Sequence, residues 1–143
     1  MNLSEDRKPI EPAKIVVRFA DGKILKGFTH DFYPNKLLFH LSSNFEDITQ
    51  EGVKVQVKDL KAVFFVKDFS GDPSYDEVKG FTASDQIHGR KLEVEFNDGE
   101  LLAGTTVGYT PDCPGFFLFP VDANSNNERA FIVSASVRKV RFI

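Results

Sequence analysis

Ile15-Val16-Val17-Arg18-Phe19-Ala20-Asp21-Gly22-Lys23-Ile24-Leu25-Lys26-Gly27 returns later in the chain as Leu92-Glu93-Val94-Glu95-Phe96-Asn97-Asp98-Gly99-Glu100-Leu101-Leu102-Ala103-Gly104. Val, Phe, Asp-Gly, Leu and Gly fall in matching places, and Gly22 maps onto Gly99 at an offset of 77 residues. The same offset carries Pro34 onto Pro111 and Leu60–Val66 onto Val137–Ile143. Three separated segments with one offset identify an internal duplication.

Each copy reads as an antiparallel meander. Ile15, Val17 and Phe19 alternate with Val16, Arg18 and Ala20, and Leu92, Val94 and Phe96 alternate with Glu93, Glu95 and Asn97. A period of two with charges on one side marks a half-buried strand. The Asp-Gly that follows predicts a hairpin with a three-residue loop, Ala20-Asp21-Gly22, whose glycine takes the left-handed conformation. That loop sets Leu25 opposite Val17 and Gly27 opposite Ile15, and an inward glycine there removes a side chain where a small barrel bends. A third strand is expected over Lys36–Leu41 and Gly115–Val121, after Pro-containing turns. The last two strands are expected over Val53–Val57 with Leu60–Lys67, and over Ala130–Ser134 with Val137–Ile143. The domain reading is a flexible segment 1–11, a first repeat 12–69, a linker 70–89 with one helix-prone stretch at Asp72–Lys79, and a second repeat 90–143.

Composition narrows the function classes. Fifteen Phe, three Tyr and no Trp among 143 residues favour a Phe-rich β core. A net charge of −3 argues against a dedicated nucleic-acid binder, whose affinity rests on neutralising phosphates. No run of about 18 apolar residues suits a membrane helix. The N-terminus has no apolar signal core, and a lone Cys113 cannot form an internal disulfide, so the expected location is the cytoplasm.

The pattern Ile-x-Val-x-Phe-x-Asp-Gly-x-x-Leu-x-Gly, then Asp31-x-x-x-Asn35, a Leu-Leu-Phe strand and Val-Lys-Asp-Leu-Lys-Ala-Val resembles the Sm-like barrel family. Lys58-Asp59 and Ala135-Ser136 stand where that family carries an Arg-Gly corner, and the second copy has Gly108 and Asp112 in place of the Asp and Asn. As a whole, residues 12–143 resemble bacterial proteins of unknown function with two tandem Sm-like barrels. The signatures are Leu60–Phe69, Pro114–Pro120 and Asn126-Asn127-Glu128-Arg129. The resemblance implies an all-β fold of two tandem small Sm-like β-barrels related by duplication, and a bacterial source; it brings no activity. A PilZ-type barrel is a second fold reading. Its Arg-x-x-x-Arg segment and Asp-x-Ser-x-x-Gly strand are missing, so its cyclic-dinucleotide ligand is rejected.

No catalytic, metal or cofactor constellation emerges. His30, His40 and His88 are scattered, and a zinc site needs three or four convergent ligands. Cys113 sits in a turn with no basic neighbour in sequence to activate it. The expected partner surface is Phe116 and Phe117, which alternate across a strand, beside Asn126, Asn127, Glu128 and Arg129. Together they offer an aromatic anchor, amides and a charged fork; the competing reading packs the outer Phe against the first copy or a second subunit. Basic residues favour the first copy, with nine Lys/Arg against seven Asp/Glu over 14–69, and six against seven over 90–143. This motivates an alternative, RNA or single-strand binding through Phe32, Tyr33, Asn35, Lys58 and Lys61. The leading expectation is a non-enzymatic binding or adaptor module that meets a protein partner through loops and edges. It is expected as a monomer or homodimer, with Val63–Val66 and Val140–Ile143 at the contact between copies.

Overall fold

The computed structural model describes residues 12–43, 52–70, 89–122 and 125–143. The expected N-terminal segment 1–11, nearly all of the linker and Asp72–Lys79 lie outside the described residues. Among these residues there are ten strands: β1 (Ala13–Phe19), β2 (Ile24–Thr29), β3 (Leu38–Leu41), β4 (Val53–Gln56), β5 (Leu60–Val66), β6 (Arg90–Phe96), β7 (Leu101–Thr106), β8 (Gly115–Pro120), β9 (Asn127–Val133) and β10 (Val137–Phe142). Single 3-10 turns at Val57–Asp59 and Ser134–Ser136 link β4 to β5 and β9 to β10. Four of the five strand starts and both 3-10 turns repeat at the 77-residue offset, β9 beginning three residues early, so the duplication read from the sequence is a duplication of structure.

The hairpins form as their residues dictate. Val17 faces Leu25 and Ile15 faces Gly27 across β1 and β2, and Val94 faces Leu102 across β6 and β7. Gly22 and Gly99 take positive φ of 99° and 90°. The preceding aspartates accept a backbone hydrogen bond two residues on, Lys23 N–H to Asp21 at 2.9 Å and Glu100 N–H to Asp98 at 3.0 Å. The inward glycines serve close strand approach. A Cβ on Gly27 would lie 2.5 Å from the Ser42 carbonyl oxygen, and one on Gly104 would overlap that of Phe119.

Two cores result, and each borrows from the other repeat. The first holds Ile15, Val17, Phe39, Leu41, Val55, Leu60, Val63 and Phe65, completed by Phe131 and Val133 of the second repeat. The second holds Leu92, Val94, Phe96, Phe116, Leu118 and Ile132, completed by Ala62 of the first. Burying each such aliphatic or Phe side chain stabilises the fold by about 1.5–3 kcal/mol before ordering costs. Alternation makes the sharing possible: β8 and β9 turn Phe116, Leu118, Ala130 and Ile132 to one core, and Phe117, Phe131 and Val133 to the other.

The strand order corrects the expected barrels. Eight strands form one sheet in the order β10-β6-β7-β8-β9-β5-β1-β2, and β3 pairs with β4 in a second. Among the described residues no sheet closes into a barrel, so the Sm-like resemblance and the description as tandem β-barrels do not stand. The physical reason is partner choice. Within a repeat the fourth and fifth strands do not pair; β5 spends its second edge on β9, Ala62 facing Ile132, Val63 facing Phe131 and Phe64 facing Ala130. In the first repeat the described residues join β2 and β3 by backbone pairing only at the Phe28–Ser42 bridge, with N–H···O distances of 2.7 and 2.9 Å. Val63–Val66 therefore lies at the contact between repeats as its two apolar faces suggested. Val140–Ile143 does not: β10 is the far edge of the sheet.

Candidate functional site

The joint between repeats carries more than the β5–β9 ladder. Lys61 on β5 is buried, yet its ammonium reaches the second repeat's hairpin. It donates to Asp98 at 2.6 Å and to Glu100, and lies 4.6 Å from the centroid of Phe96. Arg18 on β1 donates to the same Glu100 at 3.0 Å. The hydrogen bond from Lys61, then that from the Glu100 N–H, holds the Asp98 carboxyl below its ordinary value. Ser136 donates to the Leu60 carbonyl at 2.8 Å from within the buried joint. Beside this network opens a cavity of about 250 Å³, whose walls include Arg18, Phe64, Glu100, Leu118 and Asn127.

The residues expected to form a partner surface divide by role. Phe116 is buried in the second core, edge-to-face with Tyr109 at 4.9 Å. Phe117 points the other way and is half-buried against the first core, 5.3 Å from Phe131 and 6.0 Å from Phe65. The Arg129 guanidinium covers both Phe65 and Phe117, at 4.5 and 4.9 Å. Asn126 is a clamp at the end of β5: its carbonyl accepts from Lys67, its side-chain oxygen from Asp68, and its amide donates to the Asp68 carbonyl at 2.8 Å. Asn127 is half-buried at the cavity wall, and Glu128 is exposed.

The second set is likewise split. Phe32 packs edge-to-face against Phe39, Phe65 and Phe131 at 5.1–5.5 Å, and so caps the first core. Lys61 is engaged as described. Tyr33, Asn35 and Lys58 stay exposed, with the Lys36 ammonium 4.6 Å from the Tyr33 ring. A basic residue next to Ala62-Val63-Phe64-Phe65 reads from sequence as patch, and only the fold shows it buried.

Asp31 and His40 form a carboxylate–imidazole pair, 2.6 Å from Oδ2 to Nδ1. Partial burial would raise the Asp31 pKa, but hydrogen bonds from the His40 N–H, its ring and the Thr29 hydroxyl outweigh it and hold the carboxyl low. The pair ties the β2–β3 loop to β3. Among the described residues no three His, Cys, Asp or Glu side chains are grouped to hold a metal ion. Cys113 is half-buried, its sulfur 3.9 Å from the Ser134 hydroxyl. No described helix is long and apolar enough to cross a membrane.

Some exposed apolar side chains lie at the two ends of the strand array, while Ile24, Leu101, Val107 and Phe119 are exposed elsewhere on it. Leu37, Leu38 and Val53, at 80, 38 and 58% exposure, flank β3 and β4; Phe142 and Ile143, at 39 and 63%, end β10. Among the described residues β4 pairs on one side only, with β3, and β10 on one side only, with β6. Sequence reasoning missed these edges: it set Val140–Ile143 at the contact between copies, and period-two patterning does not show which strand edge is left open.

The fold and these surfaces define a two-repeat, open-sheet β protein whose repeats share their cores. The model of the family of unknown function DUF6982 matches residues 11–143, and the chain belongs to that family. No curated protein and no solved structure matches it.

Proposed function

We propose that this chain is a non-enzymatic binding module that holds a protein partner by adding strands at the open ends of its sheet. The observation that carries this reading is the pair of one-sided strands, β4 and β10, each flanked by exposed apolar side chains. A one-sided strand presents a row of unspent N–H and C=O groups, and strand addition is a general mode of protein recognition. Lys54 on β4 and Arg138, Lys139 and Arg141 on β10 discourage indiscriminate pairing, so the partner must offer matching chemistry. Asn126 and Arg129 support the same reading from the other side, because they hold the inner joint and leave the outer edges as the free surface.

A proline at the edge tests this. The Ile143 N–H is directed to Lys91 on β6 at 3.1 Å, so alternation turns the Val140 N–H outward. Val140→Pro should leave the chain folded, its thermal midpoint lowered only by the lost packing of the half-buried Val140 on the second core, and should abolish capture of any protein that the native chain retains. Retention of the same partners by the proline variant, or turnover of a substrate by the purified chain, overturns the reading. RNA binding through Tyr33, Asn35 and Lys58 is the weaker alternative, since Phe32 and Lys61 are engaged in packing. It predicts binding strongest at low salt.

A further inference from the structure

We infer that the partner of each open edge is a second copy of this chain, β10 of one molecule pairing antiparallel with β4 of the next. This rests on the strand-addition reading above and names its occupant. The duplication supplies the argument. β5 and β10 occupy the same place in their repeats, down to the register irregularity against β1 and β6. β4 and β9 likewise correspond, each pairing with the third strand of its repeat. The joint β5–β9 is thus a solved example of a fifth strand meeting a fourth, and the outer edges are the same two surfaces left without one another.

Carrying the β5–β9 register forward by 77 residues specifies the new ladder. Ala62–Ile132, Val63–Phe131 and Phe64–Ala130 become Lys139–Val55, Val140–Lys54 and Arg141–Val53 between molecules. Exposed Phe142 then falls beside Gly52, where Phe65 now meets Arg129. The charges follow independently. Lys61–Asp98 at the inner joint becomes Arg138 facing Asp21, again opposite in sign. Arg18–Glu100 becomes Glu95 facing Lys23, both signs reversed and the attraction kept. Lys61–Glu100 becomes Arg138–Lys23, a like pair that the adjacent Glu95 and Asp21 offset. Asp21, Lys23 and Arg138 are exposed and within reach of a neighbour. Such a contact joins different surfaces head to tail, so it propagates until the rotation closes a ring.

Light scattering, cross-linking and a charge swap on the full chain test this together. The chain should exceed monomer mass at about 100 μM, and Val140→Pro should return it to a folded monomer. In a Cys113→Ser background, chains carrying Val140→Cys mixed with chains carrying Lys54→Cys should cross-link through a short bismaleimide, and neither alone should. Arg138→Asp and Asp21→Arg should each weaken association about tenfold, and the two together should restore it. A purely intramolecular role for Arg138, which also donates to the Asn97 carbonyl, gives no such rescue. A monomer at this concentration, or Val140→Cys chains cross-linking to themselves, overturns the inference. A monomer that captures another protein in a Val140→Pro-sensitive way would overturn it while leaving the binding-module reading intact.

Discussion

Gly104 and Gly99 are five residues apart and exist for different reasons, which stability measurements can separate. At Gly104 a methyl group has nowhere to go, with the Phe119 carbonyl and the Leu118 side chain against it. Gly104→Ala should cost about 1–3 kcal/mol through overpacking, read as a lower denaturant midpoint. At Gly99 there is open space but φ is +90°, so Gly99→Ala should cost about 1–2 kcal/mol through backbone strain alone. Asp31 makes a pH-dependent contribution. Its folded pKa lies below the ordinary aspartate value of 3.8, so its stabilisation is fully present above that value and is lost as pH falls through the lowered one. Asp31→Asn should therefore lower the thermal midpoint at neutral pH, and the gap from the native chain should narrow below pH 3.8.

At the scale of elements, the β5–β9 joint mixes a buried cation with a strand ladder, and the two respond differently to mutation. Lys61→Met keeps the volume and removes the charge; Asp98→Asn with Glu100→Gln keeps the volume and strands the ammonium. The double variant should melt at lower temperature than Lys61→Met, because an uncompensated buried charge is worse than none. A melting order the other way round would show that the ammonium reaches water. The elements themselves were legible before the structure: the Asp-Gly turns, the alternation in Ile15–Phe19 and Leu92–Phe96 and the inward glycines all landed where the 77-residue offset put them. Their partners were less so. Val63-Phe64-Phe65-Val66 announces a strand covered on both faces, but period-two patterning carries no record of which edge it joins. Lys61 shows the same limit for sites. Its neighbours in sequence are apolar, and the carboxylates that partner it lie 37 and 39 residues away.

For the whole molecule, the shared cores make each repeat dependent on the other. Residues 12–70 alone would lose Phe131 and Val133 from their core and bare the apolar edge of β5. Residues 89–143 alone would lose the Ala62 wall and bare β9. Neither fragment is expected to show a cooperative melt, whereas the full chain should unfold in one transition by far-ultraviolet circular dichroism and by tyrosine fluorescence alike. Two separated transitions would mean that the repeats are independent units. Closed barrels were the natural expectation from a five-strand repeat, because a repeat read by itself has no other way to cover its edges. The second copy provides one, and closure is lost.

The central position of β5, bonded to β1 on one side and β9 on the other with a core on each face, has a consequence in time. A backbone amide exchanges its hydrogen with solvent only when its bond opens, and local opening is cheap at edges and costly at the centre. The amides of Ala62–Phe65 should be the last to take up deuterium, at a rate set by global unfolding. Those of β4 and β10 should exchange early through fraying, and slow as protein concentration rises if their edges are filled.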